Sequence, residues 1–100
     1  MSETLEDLLT AVASEAGAES RRVGGAVEFG RAGNVFAVVS AETVDLHLDP
    51  EIAEAAFNTP GAEPSTRGGE WVHLTVQPDQ PHDLDRARAW FLSAWRNAAG

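Results

Sequence analysis

The segment VFAVVSAETVDLHLDPEIAEAAF, residues 35–57, decides the fold of this chain. Residues 35–40 are apolar on both faces and rich in β-branched side chains, which is typical of a strand in the middle of a sheet. Residues 43–49 alternate between apolar and polar side chains, as a strand with one buried face does. The buried face is predicted to carry Val44, Leu46 and Leu48, and the opposite face Asp45, His47 and Asp49.

A helix is predicted to begin directly after this strand. Asp49 supplies a capping carboxylate, Pro50 suits the first helical position, and Glu51 suits the positive end of the helix dipole. The helix is expected to end before residues 58–61 (NTPG), since the residue that precedes a proline disfavours helical backbone angles. Residues 58–69 are rich in Pro, Gly, Ser and Thr, and they are predicted to form a loop.

Two further strands are predicted on either side of this segment. The first lies around residues 26–29 (AVEF), and the glycine-containing residues 30–34 then favour a hairpin turn. The second is residues 71–76 (WVHLTV), which alternate again. Its inner face is predicted to carry Val72, Leu74 and Val76, and its opposite face Trp71, His73 and Thr75.

Amphipathic helices are predicted at both ends of the chain. The first covers residues 2–16, with Ser2 or Thr4 as its cap and Gly17 at its end. Its apolar stripe consists of Leu5, Leu8, Leu9, Val12 and Ala16. Residues 18–25 (AESRRVGG) are polar and are predicted to form a loop. The last helix is predicted to begin at a cap on Asp83, and one of its faces carries Leu84, Ala87, Phe91, Ala94, Trp95 and Ala98.

These elements predict a single α+β domain over residues 1–100, in the order α-β-β-β-α-β-α. Short strands that follow one another favour an antiparallel sheet, here of about four strands. Both terminal helices have one apolar side, so they are expected to pack on the same face of that sheet. The other face of the sheet then carries the polar and aromatic side chains.

Composition restricts the classes of function. The chain has sixteen acidic residues, seven arginines and no lysine, and its net charge is -9. This charge repels a phosphate backbone and disfavours nucleic-acid binding. The absence of cysteine excludes disulfides, zinc–thiolate sites and a thiol nucleophile. The acidic start differs from a signal peptide, and no apolar run is long enough to cross a membrane, so a cytoplasmic protein without membrane contact is expected.

Four stretches of the chain together resemble the MmcQ/YjbR-like family, whose small bacterial domains share the frataxin/CyaY-like architecture. They are VFAVVS after a glycine turn, VDLHLDPEIAEAAF, PSTRGGEWVHLTV and LDRARAWFLSAWRNA, and the similarity covers about residues 27–97. In the family, a strand runs into a Leu-x-Pro-Glu helix start, and a loop ending in Gly and Trp leads into the last strand. A weaker similarity to the small "luciferase" domain family rests on the same Gly-Trp turn.

The resemblance implies two functions, DNA binding and iron binding, and the residues of this chain disfavour both. Members of the family are described as binding DNA through a double-wing arrangement, a role that the acidity of this chain disfavours. Frataxin-like proteins bind iron through acids on the first helix and the adjoining strand. Here the corresponding acids, Glu3, Glu6, Asp7 and Glu15, are few and widely spaced. A solvated helix face is therefore the favoured interpretation of them.

The loop over residues 65–71 (STRGGEW) is the first candidate binding site. Its two glycines allow a partner to approach the backbone, Arg67 can bind a carboxylate or phosphate, and Trp71 offers a flat ring. The alternative is a turn that leads into the strand, with Arg67 paired to a nearby acid and Trp71 packed at the sheet edge. A phosphate-binding P-loop is excluded, because the required lysine and spacing are absent.

His47 and His73 are the second candidate, because both are predicted on the sheet face opposite the apolar one. If their strands are neighbours, the two imidazoles lie near each other, and Glu28, Asp45 or Asp49 would complete a metal site. The alternative is a pair of surface histidines on adjacent strands. Sequence spacing does not enforce a metal site.

The sequence predicts no enzyme and no cofactor. Ser40, Ser65 and Ser93 lie in no Gly-x-Ser-x-Gly motif, and no carboxylate pair lies in a stretch that is expected to be buried. The predicted function is a non-enzymatic binding or interaction module of the MmcQ/YjbR-like type for a protein or small ligand, with candidate residues Arg67, Trp71, His47 and His73. Metal binding and DNA binding are the alternatives. The protein is expected to be a monomer or a homodimer, with Trp90 either in the core or at an interface.

Overall fold

The structure is a computed structural model that describes residues 4–77 and 79–99. These residues form an α+β domain with three helices and one antiparallel six-stranded sheet. In chain order the elements are α1 Leu5–Ala16, β1 Glu19–Val23, β2 Ala26–Arg31, β3 Asn34–Ser40, β4 Thr43–His47, α2 Pro50–Ala56, β5 Ala62–Pro64, β6 Trp71–Thr75 and α3 Pro81–Asn97. The strands lie side by side in the order β1-β2-β3-β4-β6-β5. The predicted class is confirmed, whereas the strand number and element order differ.

The first difference is β1, which lies in the stretch that the sequence predicted to be a loop. All five of its residues, ESRRV, are exposed. The strand forms because a two-residue turn at Gly24-Gly25 folds it back onto β2, with Val23 opposite Ala26. Gly24 has a φ of +61°, which glycine adopts without strain. An edge strand of this kind buries neither face, so it leaves no alternation in the sequence.

The second difference is β5, which lies within the predicted loop of residues 58–69. It is only three residues long and pairs with one edge of β6. Its last residue, Pro64, has no N–H to donate, and such a residue is tolerated at a sheet edge.

The two ends of the chain also test the predicted helix boundaries. Thr4 caps α1 through its Oγ1, which accepts from Asp7 N at 3.1 Å, while Ser2 lies outside the described residues. Gly17 ends α1 with a φ of +80°, as predicted. The start of α3 is Pro81 rather than a cap on Asp83. Asp83 instead accepts from the backbone N–H of Gln77 at 3.0 Å, which ties the preceding loop to the first turn of α3.

The helices and one face of the sheet enclose a single hydrophobic core. Phe91 of α3 lies at its centre, with edge-to-face contacts to Phe29 and Phe36 at centroid distances of 5.1 Å each. Residues of all three helices belong to this core, with the predicted inner side chains of β4 and β6. These inner side chains are Val44, Leu46, Leu48, Val72, Leu74 and Val76, and all are buried.

Trp90 packs against the core and is half-buried. Trp95, on the same helix, lies beneath the guanidinium of Arg31, whose Cζ is 3.7 Å from the ring centroid. Arg31 also donates to the carbonyl oxygen of Trp95 at 3.1 Å, so this arginine joins β2 to the end of α3. Among the described residues, no helix has the length and apolar character that a bilayer-spanning segment requires.

Candidate functional site

The sheet face opposite the core carries one continuous row of side chains across all six strands. Pairing of neighbouring strands places one residue of each strand in the row. The row is Arg21, Glu28, Val38, Asp45, His73 and Glu63, and the next position along β4 and β6 adds His47 opposite Trp71. We call these eight residues the outer face. The predicted alternation of β4 and β6 therefore describes their side chains correctly.

The central polar contact of the outer face joins β4 to β6. Asp45 and His73 are direct cross-strand partners, and His73 Nδ1 lies 2.6 Å from Asp45 Oδ1. Both side chains are half-buried, so this contact is accessible from one side. An Nδ1–H that is donated to the carboxylate leaves Nε2 as an acceptor in the neutral imidazole. The contact thus fixes the orientation of the His73 ring on the outer face.

His47 and Trp71 form the second contact across the same two strands. Their rings are stacked, with centroids 5.2 Å apart and an angle of 21° between the planes. Both side chains are half-buried. An indole that is held by a stacked neighbour loses little conformational entropy when a ligand covers its exposed part.

Arg67 connects these two pairs. Its Cζ lies 5.0 Å from the centroid of the Trp71 ring, and its Nε lies 3.7 Å from Asp45 Oδ2. The two Asp45 oxygens therefore face one imidazole and one guanidinium. The four candidate residues from the sequence therefore form one chain of contacts, in which Arg67 links the Asp45–His73 pair to the stacked Trp71–His47 pair.

The loop before β6 determines where Arg67 points. Ser65 is buried and its backbone N–H donates to Trp71 O at 3.0 Å, while Trp71 N donates to Gly68 O at 3.2 Å. Ser65 Oγ also accepts from Arg67 N at 3.2 Å. Gly68 and Gly69 have φ values of +83° and +57°, which explains two adjacent glycines at this turn. The pairing of Arg67 with a nearby acid matches the alternative interpretation of this loop, a turn that leads into the strand.

The two histidines lie on neighbouring strands but in different cross-strand pairs. His47 is opposite Trp71, and His73 is opposite Asp45. Of the acids considered as further ligands, Glu28 binds Arg21 at 2.7 Å and Asp49 caps α2 by accepting from Glu51 N at 3.0 Å. Within residues 4–77 and 79–99, no three acidic or histidine side chains are grouped so that they could hold a metal ion.

The acids of α1 do not form a ridge with the neighbouring strand in the described part of the chain. Glu6 forms an ion pair with Arg22 of β1, which neutralises that part of the helix surface. Glu3 lies outside the described residues. The solvated-face interpretation of α1 is consistent with this ion pair.

A shallow groove that the sequence did not indicate borders the outer face. It runs between the β2–β3 turn, the end of β4 and the end of α3, and its lining residues are Gly33, Asn34, Val35, His47, Trp71, Asn97 and Ala98. Asn97 Nδ2 donates to the carbonyl oxygen of His47 at 3.4 Å, which positions the end of α3 beside β4. The stacked His47–Trp71 pair thus lies at the boundary between the groove and the outer face.

Comparison with known proteins gives a likeness of fold alone. No protein-family model matches the chain, and no curated protein matches it in sequence. The crystal structure of a protein from Pseudomonas syringae, determined by a structural genomics consortium, is similar with a TM-score of 0.66 at 10% sequence identity. The match covers 93% of this chain and 97% of that chain. The two proteins therefore share an architecture over nearly their full lengths.

Proposed function

We propose that this protein is a non-enzymatic binding module of the MmcQ/YjbR-like type, and that it binds a protein or small ligand through the outer face. The observation that carries the proposal is the convergence of Arg67, Trp71, His47 and His73, in which Arg67 links the Asp45–His73 pair to the stacked Trp71–His47 pair. These residues come from two strands and a loop that are separated along the chain. Their convergence lies on the side of the sheet away from the core, where solvent reaches them.

The chemistry of this surface suits recognition. Trp is enriched at the positions that dominate binding energy, because it combines a large contact area with a hydrogen-bond donor. Here the Trp71 ring lies between the His47 ring and the Arg67 guanidinium, and Val38 adds a half-buried apolar side chain to the row that contains Asp45 and His73. An aromatic centre with polar groups around it is the usual arrangement at a protein interface.

Binding of a protein or small ligand agrees better with the net charge of the chain than DNA binding does. The net charge is -9, and the outer face itself carries Glu28, Asp45 and Glu63. A double helix would meet repulsion there, since most of its affinity comes from neutralisation of phosphates.

Selection of ligands from a random phage-displayed peptide library tests the proposal, because such a selection does not require that the partner be identified first. The immobilised wild-type domain is the bait, and each enriched peptide is then measured against variants. We expect Trp71→Ala to weaken binding about tenfold or more, as loss of a central aromatic contact does. Phe57→Ala is the matched control, because Phe57 is an exposed aromatic residue at the end of α2.

Binding that survives both Trp71→Ala and His47→Ala unchanged would contradict the proposal. The folded state of each variant is checked by its circular dichroism spectrum and its urea midpoint. A selection that yields no peptide above background contradicts the binding of a protein partner through this face.

A further inference from the structure

Two arginines of this protein lie over tryptophan rings, and their geometries differ. Arg31 is held tightly, with its Cζ 3.7 Å from the Trp95 ring centroid and a hydrogen bond to Trp95 O. Arg67 is held loosely, with its Cζ 5.0 Å from the Trp71 centroid and its Nε 3.7 Å from Asp45 Oδ2. The distance of 3.7 Å between Arg67 Nε and Asp45 Oδ2 is longer than a hydrogen bond. Arg67 therefore occupies its position without the contacts that would fix it there.

We infer that the outer face binds an arginine- or lysine-bearing segment of a protein partner, and that Arg67 occupies the place of the partner's basic side chain in the free protein. The inference rests on the proposed function and specifies the chemistry of the partner. A cation over the face of an indole is attracted by the ring, and a carboxylate at its side adds a charge-assisted contact. Trp71 and Asp45 supply these two groups.

Charge at the site favours a cation over an anion. When the Arg67 side chain moves away, the groups that remain are Trp71 with its stacked neighbour His47, Asp45 with its partner His73, and Glu63, which lies opposite His73 in the row. The acidic groups among them are Asp45 and Glu63. An anionic ligand would meet both carboxylates, and its approach would also be opposed by the net charge of -9. A basic side chain would instead replace the charge that Arg67 now provides.

Displacement of Arg67 requires little rearrangement of the protein. Its backbone N–H is held by Ser65 Oγ at 3.2 Å, and the loop is closed by backbone hydrogen bonds. The side chain itself is 41% exposed and can rotate into solvent while the loop stays in place. Because Arg67 competes with the partner, the apparent affinity is lowered by the fraction of time that it occupies the site.

Titration of the domain with short peptides, followed through the indole N–H signals in a 15N-correlated NMR spectrum, tests the inference. The chain has three tryptophans, and Trp71→Phe identifies the signal of Trp71. The probes are the peptide Ac-Gly-Arg-Gly-Arg-Gly-NH2 and two matched peptides, in which citrulline or glutamate replaces arginine. Citrulline keeps the shape of arginine and removes its charge.

We expect the arginine peptide alone to shift the Trp71 signal, with half-saturation in the range of about 1 mM or below for contacts of this size. Arg67→Ala should tighten the binding about two- to fivefold, because it removes the internal competitor. Arg88→Ala is the charge-matched control, since Arg88 is an exposed residue of α3. Asp45→Asn should weaken binding of the arginine peptide both in the wild-type protein and in the Arg67→Ala variant.

Three results would overturn the inference. They are a stronger response to the glutamate peptide, a loss of binding in Arg67→Ala, and no Trp71 shift with the arginine peptide at about 10 mM. The proposed function is tested separately by the peptide library. If the selected peptides bind through Trp71 but lack basic residues, the proposed function is supported and only the inference of a basic partner is rejected.

Discussion

Asp45 of β4 and His73 of β6 lie directly opposite each other, with His73 Nδ1 2.6 Å from Asp45 Oδ1, although 28 positions separate them in the sequence. The contact forms because two antiparallel strands place their outward side chains side by side. The second oxygen of the same carboxylate, Asp45 Oδ2, lies 3.7 Å from Arg67 Nε. The relationship between these two residues thus organises the polar centre of the outer face.

The Asp45–His73 contact should show a measurable coupling in a double-mutant cycle. We expect the variants Asp45→Ala, His73→Ala and the double variant to give a coupling energy of about 0.5–1 kcal/mol in the free energy of unfolding. The value is modest because the two side chains are 22% and 32% exposed, so water screens their interaction. Urea denaturation of the four proteins measures it. Strictly additive effects of the two substitutions would show that the side chains do not interact.

Removal of the cap of α2 should destabilise the protein. Asp49 Oδ1 accepts from Glu51 N at 3.0 Å, and Asp49→Ala leaves that donor without its partner. We expect the free energy of unfolding to fall by about 1 kcal/mol, the usual cost of losing such a cap. Glu54→Ala, in the same helix and exposed, is the control and should change stability much less. Equal effects of the two substitutions would argue against the cap.

One substitution should stabilise the hairpin between β2 and β3. Ala32 and Gly33 have φ values of +52° and +84°, so the turn requires two left-handed residues in succession. Alanine is strained there, whereas asparagine tolerates this conformation. Ala32→Asn should therefore raise the free energy of unfolding by about 0.5–1 kcal/mol, while Ala32→Val should lower it. Thermal unfolding of both variants provides the measurement, and a destabilised Ala32→Asn would refute the assigned turn.

The aromatic centre of the core should dominate stability. Phe91 is fully buried between Phe29 and Phe36, and its truncation to alanine leaves a cavity that the neighbouring rings cannot fill. We expect Phe91→Ala to cost about 3–5 kcal/mol in the free energy of unfolding. Phe57→Ala, at a position that is 36% exposed, should cost far less. Chemical denaturation compares them, and similar losses would mean that Phe91 is not the centre of the core.

Helices and strands that bury one face could be predicted from the sequence, whereas strands that bury neither face could not. Alternation in β4 and β6 correctly divides inner from outer side chains, because burial of one face imposes a period of two. β1 is exposed throughout and β5 has three residues, so neither carries such a period. Their existence depends on pairing with strands elsewhere in the chain. The predicted start of α3 was wrong for a different reason. Asp83 does not cap the helix; it lies in the first turn and accepts a hydrogen bond from the loop that precedes it.

The site could be predicted in its members but not in its geometry. Alternation placed His47, Trp71 and His73 on one face, and glycine chemistry marked the loop that carries Arg67. The sequence did not reveal that β4 and β6 are neighbours in this register. Alternation placed Asp45 on the same face as His47, but the only role considered for it was that of one of several further metal ligands. The groove lined by Trp71 was not indicated because it is formed by four separate parts of the chain.

Mapping of backbone amide shifts, with a library-selected peptide bound to the 15N-labelled domain, tests the central claim most directly. The claim is that the uncovered side of the sheet is the binding surface. It predicts that the largest shifts fall on Asp45, His47, Arg67, Trp71 and His73, with small changes in α1 and α3. Shifts concentrated on the solvent-facing residues of α1 and α3, with these five residues unaffected, would contradict it.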